Sequence, residues 1–171
     1  MDSDGYLSQL ADIFNGITVN TPSISAIIAI VLAGVLLLAS GFASASEIAF
    51  FSLSPSDRND IDERNHPSDE KISALLGDSE RLLATILITN NFVNVTIIML
   101  CNFFFMNVFI FHSPLAEFLI LTVILTFLLL LFGEIMPKIY SAQKTLAFCR
   151  FSAPGIYYLE KIFRPVATVL L

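Results

Sequence analysis

The order of apolar and polar positions divides the chain into three long apolar segments separated by polar stretches. The apolar segments cover about residues 24–52, 82–111 and 115–139, and charged residues are rare within them. Each is long enough for the roughly 20 residues with which an α-helix crosses a bilayer. The pattern therefore predicts three membrane-spanning helices in a domain that covers residues 22–143, with a tight turn at 112–114 between the second and the third.

The first two polar stretches predict short elements outside the bilayer. Residues 1–21 form a polar lead-in with a short predicted helix at 6–14, and the Pro-Ser pair that follows Thr21 is typical of a helix start. Residues 54–81 hold eight acidic and four basic residues. This composition predicts a loop of two short amphipathic helices, separated at His66-Pro67, whose charges face solvent.

The last stretch, residues 144–171, is aromatic and apolar, but charged residues and the prolines at 154 and 165 interrupt it. It lacks a clean span, so the pattern predicts juxtamembrane helices, broken at the prolines, that lie along the inner membrane interface. The chain stops at residues 169–171 in mid-pattern and without a helix cap, which indicates a longer protein. The predicted fold is all-α and integral to the membrane: three transmembrane helices with a juxtamembrane helical belt on the cytoplasmic side.

Composition and charge support this fold class and exclude others. Of the 171 residues, 56% are hydrophobic and 14% charged, against about 25% charged in soluble domains. The two cysteines form neither a disulfide framework nor a C-x-x-C metal motif. A net charge of −6 argues against a nucleic-acid partner. The sequence shows no Ser/His pair or paired aspartates placed for catalysis, so we do not expect an enzyme.

The basic residues predict the orientation in the membrane. All nine Lys and Arg fall within 58–81 and 138–164, and none lies in 1–57 or 82–137. Since cytoplasmic loops carry the excess of Lys and Arg, the first two ranges are expected in the cytoplasm and the N-terminus outside. A chain that begins outside and crosses the membrane three times continues in the cytoplasm, which agrees with the basic residues in 138–164.

Candidate chemistry begins at the end of the third span, in Gly133-Glu134-Ile135-Met136-Pro137-Lys138. A carboxylate at membrane depth marks a functional site by default. Pro137 has no N–H to give the Gly133 carbonyl, so it predicts a helix break that frees this oxygen. A carboxylate and a free carbonyl are ligands for hard cations. The alternative is a simple proline kink with an interfacial Glu134, and Lys138 is either a partner of that carboxylate or a cytoplasmic anchor.

The first span carries small and polar residues at its inner end. Ser40, Ser44 and Glu47 share one helical face at i, i+4 and i+7. Gly41, like the alanines beside it, is interpreted as packing that lets another helix approach closely. Ser44 either packs against another helix or binds an ion, and the sequence leaves both interpretations open. Glu47 has the alternative interpretation of a residue that lies at the inner boundary of the membrane.

The second span carries amides at a similar depth. Asn90 and Asn94 lie on one face at i and i+4, whereas Asn91 lies on another. A single amide in a span is usually a hydrogen bond between helices. Grouped with Ser44 and Glu134 in the inner half of the membrane, these amides instead predict an ion site.

Three of these segments resemble the signatures of the CNNM/CorC transmembrane domain: Phe42-Ala43-Ser44-Ala45-Ser46-Glu47, the Asn90-x-x-x-Asn94 amides, and Phe132-Gly133-Glu134-Ile135-Met136-Pro137-Lys138. The resemblance extends over about residues 24–165. It implies a homodimer in a bacterial inner membrane, a magnesium site in each protomer and sodium-coupled magnesium export. It also implies CBS-pair and CorC-type cytosolic domains further along the full-length chain.

The resemblance assigns metal ligands position by position: Ser44, Asn90, Asn94, Gly133 and Glu134. The residues themselves predict a surrounding group at the helix break and next to these ligands: Ser40, Glu47, Asn91, Pro137 and Lys138. The run Phe51-Ser52-Leu53-Ser54-Pro55-Ser56-Asp57 also looks like the GldE branch, which is linked to gliding motility. The alternative function is a membrane scaffold or docking subunit, in which the polar residues only join helices.

Overall fold

The computed structural model describes residues 17–170, apart from the Leu170 side chain, together with Gly5, Leu7, Ser8 and Ala11. Most of the predicted helix at 6–14 lies outside the described residues. The described elements are α1 (Ile24–Phe51), α2 (Pro55–Asp62), α3 (Asp69–Leu76), α4 (Ser79–Val108), α5 (Pro114–Gln143) and α6 (Thr145–Leu170), with two short strands, β1 (Ile17–Val19) and β2 (Phe109–Phe111).

The three predicted spans are confirmed as helices α1, α4 and α5. Each is long and apolar enough to cross a membrane. Helix α1 packs against both other spans, around a core of Ala33, Val93, Ile97, Cys101 and Leu129. Large apolar side chains on the outer faces, such as Leu38 and Phe92, are exposed, which suits a surface in contact with lipid.

Local sequence sets several helix starts. Ser23 caps α1, because its hydroxyl accepts a hydrogen bond from the Ala26 N–H at 3.2 Å. Ser54 and Asp57 form a reciprocal capping box at the start of α2. The separation of α2 and α3 around His66-Pro67 agrees with the prediction.

The second span begins and ends three residues earlier than predicted, at Ser79 and Val108. Helix α4 ends at Val108, and Phe109–Phe111 pair as a strand, antiparallel to Ile17–Val19. The pairing continues into the Asn20 N–H, which donates to the Val108 carbonyl at 2.7 Å. Residues 109–111 leave the helix because their backbone groups find partners near the N-terminus.

The end of the bundle at which α1 ends, α4 begins and α5 ends is called the basic end here. A second apolar core lies there, where α2, α3 and α6 join the spans. Its largest fully buried members include Phe50, Ile72, Leu75, Leu82 and Ile156. The loop between α1 and α4 is therefore part of the folded domain.

Asp69 of α3 corrects the prediction that the charges of residues 54–81 face solvent. Its side chain has no exposed surface, and the Arg150 guanidinium of α6 donates to both carboxylate oxygens, at 2.8 and 3.0 Å. The His66 N–H donates to the same carboxylate at 3.0 Å. Burial alone would raise the pKa of Asp69, but the Arg150 hydrogen bonds and charge and the His66 N–H outweigh it, so the pKa is lowered.

The prediction that prolines break the last segment is wrong. Helix α6 runs without interruption through Pro154 and Pro165. Each proline removes one backbone hydrogen bond, but α6 packs along α1, α3 and α4. Gly155 lies so close to the Phe42 ring that a Cβ there would come within 3.0 Å of it. Tertiary packing thus holds the helix together across the prolines.

Candidate cation site

Oxygen atoms from three helices meet between α1, α4 and α5. The Ser40 hydroxyl lies 2.9 Å from Asn90 Oδ1, 2.6 Å from Asn94 Oδ1 and 3.4 Å from the Gly133 carbonyl oxygen. The Ser44 hydroxyl lies 3.3 Å from Asn90 Oδ1. These five oxygens are called the oxygen cluster below. Ser40 and Ser44 have no exposed surface, so the cluster lies inside the bundle.

Two glycines allow the helices to come close enough to form the cluster. A Cβ on Gly133 would lie 3.2 Å from the Ser40 hydroxyl oxygen, and a Cβ on Gly41 would lie 3.1 Å from Pro137 Cγ. Small residues allow such close approach of helices in membranes. The packing interpretation of Gly41 therefore agrees with the structure, and Gly133 both allows close packing and places its carbonyl oxygen in the cluster.

Helix α5 is not broken at Pro137, in contrast to the prediction. The turn at Leu131–Ile135 is instead π-helical: the Met136 N–H donates to the Leu131 carbonyl, five residues back. The helix then continues through Pro137 to Gln143. The widened turn accommodates the proline, and the Gly133 carbonyl meets the Ser40 hydroxyl of α1. A second π-helical stretch, Leu119–Ile124, lies earlier in α5, so the π-turn by itself does not mark the site.

The oxygen cluster contains more oxygen acceptors than serine hydroxyl protons. Each serine hydroxyl carries one proton, so Ser40 can satisfy only one of its three acceptors at a time. The Ser40 hydroxyl is therefore surrounded by three oxygens, of which two receive no proton from it at any one time. Hydroxyl, amide and carbonyl oxygens are donors for hard cations. The oxygens that meet here therefore fit the predicted ligand chemistry.

The Glu134 carboxylate belongs to a second group beside the cluster. The Lys138 ammonium lies 3.4 Å from Glu134 Oε1 and 3.0 Å from Glu47 Oε2. This Glu47–Lys138–Glu134 group, called the ion triad below, links α1, near the basic end, to α5. Among the contacts of the described residues, the Glu134 side chain meets Lys138 and none joins it to the amides. Only the backbone connects it directly to Gly133 of the cluster.

Comparison with known proteins assigns the family. Residues 28–171 match the family described as CNNM, the cyclin M transmembrane N-terminal domain. This chain belongs to the CNNM family. It is also 31% identical, over 134 residues, to a UPF0053 protein of Haemophilus influenzae. That match covers 78% of this chain and 31% of the relative, so the chain spans less than a third of that protein's length.

In this CNNM domain, most of the predicted ligands lie together, but the residue at the centre of the group is Ser40, which was not predicted as a ligand. Ser40, predicted to lie beside the ligands, contacts three of the cluster oxygens, whereas Ser44 contacts one. The i, i+4 spacing of the two serines was the available signal, but it does not show which one faces both amides. Asn91 is exposed and joins no hydrogen bond of the cluster, so its predicted place around the ligands is wrong, although its position on another helical face than Asn90 and Asn94 agrees with the prediction.

Proposed function

We propose that this CNNM domain transports a divalent cation, magnesium, and that the ion binds at the oxygen cluster between α1, α4 and α5. The convergence of oxygens from α4 and α5 on the Ser40 hydroxyl of α1, at 2.6 to 3.4 Å, carries the proposal. Magnesium binds oxygen ligands in near-octahedral geometry. The three helices contribute such oxygens from different directions, which is how an ion becomes enclosed.

In this proposal Glu134 is the anionic ligand, next to the Gly133 carbonyl. A single carboxylate among neutral oxygens binds a divalent ion only modestly, and this suits release during transport. The widened turn of α5 presents a backbone carbonyl to the site, as the interrupted helices of secondary transporters do. Sodium-coupled export by alternating access, with the basic end in the cytoplasm of an inner-membrane protein, completes the proposed mechanism.

Ion flux tests the proposal directly. Purified protein in liposomes that contain a magnesium-sensitive dye should change the internal magnesium concentration when a sodium gradient is imposed. Asn90→Ala should abolish the flux, because it removes an oxygen that both serines contact. Asn91→Ala is the matched control, since Asn91 is exposed and should retain the flux. Flux that persists in Asn90→Ala would contradict the assigned site.

We further propose that the protein acts as a homodimer and that the full-length chain carries CBS-pair and CorC-type domains. The outer faces of the three spans expose many large apolar side chains, which a second copy could cover in part. Light scattering in detergent over a range of concentrations should give twice the protomer mass. A monomer at every concentration would contradict the dimer.

The docking-subunit function is the second candidate, and the same hydrogen bonds favour it. Ser40 joins all three spans, as polar residues do when they only hold membrane helices together. Absence of divalent-ion binding would favour this function, because transport at the cluster requires that the ion binds there. A calorimetric titration of the purified domain with magnesium chloride decides between the two.

A further inference from the structure

The ion triad lies between the oxygen cluster and the basic end. On α1, Glu47 follows Ser44 toward that end, and on α5, Lys138 follows Glu134. The triad side chains are partly exposed, 26% for Lys138, 23% for Glu47 and 33% for Glu134. The triad is therefore partly accessible from outside the bundle, whereas the serines of the cluster are enclosed.

We propose that the Lys138 ammonium is a tethered competitor of the divalent ion: it neutralises Glu134 when the cluster is empty and withdraws to Glu47 when the ion binds. This inference rests on the proposed function. It assigns Lys138 and Glu47, which do not contact the cluster, a role in setting the affinity of the site.

The distances support a movement of the Lys138 ammonium away from Glu134 and toward Glu47. Lys138 lies closer to Glu47, at 3.0 Å, than to Glu134, at 3.4 Å. Loss of the longer contact therefore leaves the shorter ion pair in place. Glu134 is then free to turn toward the Gly133 carbonyl, its immediate neighbour in the chain.

The charges favour the same exchange. Without a metal ion, two carboxylates share one ammonium, and an unpaired carboxylate at membrane depth is costly. When the divalent ion takes Glu134, each carboxylate has its own cation, and Lys138 repels the bound ion across a few ångströms. Removal of Lys138 should therefore strengthen divalent binding, and removal of Glu47 should weaken it, because Lys138 would then depend on Glu134 alone.

A static ion pair predicts a different effect of Lys138 substitution on the magnesium affinity. If the triad only fastens α1 to α5, Lys138→Met lowers thermal stability and leaves the magnesium affinity unchanged or weaker. The affinity of the purified protein, measured by calorimetric titration with magnesium chloride, separates the two interpretations and does not depend on transport.

The first test replaces the lysine. Lys138→Met should bind magnesium about tenfold more tightly or better, since the energy between unit charges a few ångströms apart near a protein surface exceeds that of a tenfold change in affinity. Lys138→Gln serves if the Met variant does not fold, and Lys138→Arg should stay near wild type. Lys144→Met is the matched control: Lys144 is exposed, just beyond α5, and forms no ion pair with the described residues.

The second test is a double-mutant cycle. Glu47→Gln should weaken magnesium binding severalfold in the wild-type background and much less in the Lys138→Met background. An equal effect in both backgrounds would mean that Glu47 acts on the ion without Lys138, and this would overturn the proposal. Equal affinities of Lys138→Met and Lys144→Met would also overturn it. If the wild-type protein binds no magnesium, the proposed function itself fails.

Discussion

Arg150 of α6 donates two hydrogen bonds, 2.8 and 3.0 Å long, to the buried carboxylate of Asp69, which lies 81 residues earlier in the chain. Asp69 begins α3, so the pair fastens the loop between the first two spans to the last helix. Bidentate pairs of this kind are strong and geometrically specific. The pair lies outside the predicted ion site, and its role is to hold the basic end together.

Loss of the arginine should destabilise the protein. Arg150→Met leaves a buried carboxylate without its partner, which costs about 3–5 kcal/mol; the low end is expected because Arg150 is partly exposed. Thermal unfolding of the protein in detergent measures the loss as a lower Tm. Arg58→Met, at an exposed position of α2, is the control and should leave the Tm nearly unchanged. Equal Tm values for the two variants would contradict the structural role.

Acid should weaken the same contact in a defined direction. The pKa of Asp69 is lowered in the folded protein, so the unfolded state binds the proton more readily and stability falls as pH decreases. The contribution is fully present above the unfolded pKa of about 3.9 and is lost as pH falls through the lower, folded value. Asp69→Asn should therefore melt below wild type at neutral pH, and the Tm gap should narrow only below about pH 3.9. A gap that closes already at pH 6 would be inconsistent with the lowered pKa.

Magnesium should raise the melting temperature through the oxygen cluster. A ligand that binds only the folded state stabilises it by about 2.7 kcal/mol at a hundredfold excess over Kd. Glu134→Gln should lose most of the magnesium-dependent shift in Tm, and Asn94→Ala should lose part of it. Asn91→Ala, at an exposed position, should keep it. If wild type shows no shift at any magnesium concentration, the cluster is only a helix contact.

A methyl group at Gly133 should destabilise the protein. Gly133→Ala places a Cβ 3.2 Å from the Ser40 hydroxyl oxygen, and overpacking of this kind costs about 1–3 kcal/mol. It should also weaken magnesium binding in a calorimetric titration, since Ser40 must move. Gly34→Ala in α1 is the matched control, because its Cβ would meet nothing within 4 Å. It should gain up to about 1 kcal/mol from helix propensity. Equal effects of the two changes would refute the close approach.

Cysteine labelling tests the orientation. In a background without the buried thiols Cys101 and Cys149, Asp60→Cys should react with a membrane-impermeant maleimide only after the cells are opened. A cysteine that replaces Asn20, next to β1, should react in intact cells. The expectation follows from the confinement of Lys and Arg to two ranges of the sequence. Labelling of the Asp60→Cys variant in intact cells would show that the topology is opposite to the predicted one.

The sequence alone determined the features that depend on local composition. Long apolar runs suffice for spans α1, α4 and α5, because the bilayer requires a continuous apolar helix. The caps at Ser23 and Ser54 depend on residues within one turn of each helix start. Helical spacing also placed Asn90 and Asn94 on one face and Asn91 on another.

Only the tertiary structure decided the features that depend on residues far apart in the chain. The strand at Phe109–Phe111 exists because Ile17–Val19 pairs with it, and α6 passes through its prolines because three other helices support it. Asp69 is buried because Arg150 reaches it. The position of Ser40 at the centre of the oxygen cluster is of the same kind. It depends on how closely α1, α4 and α5 approach, and residue spacing along one helix carries no information about that distance.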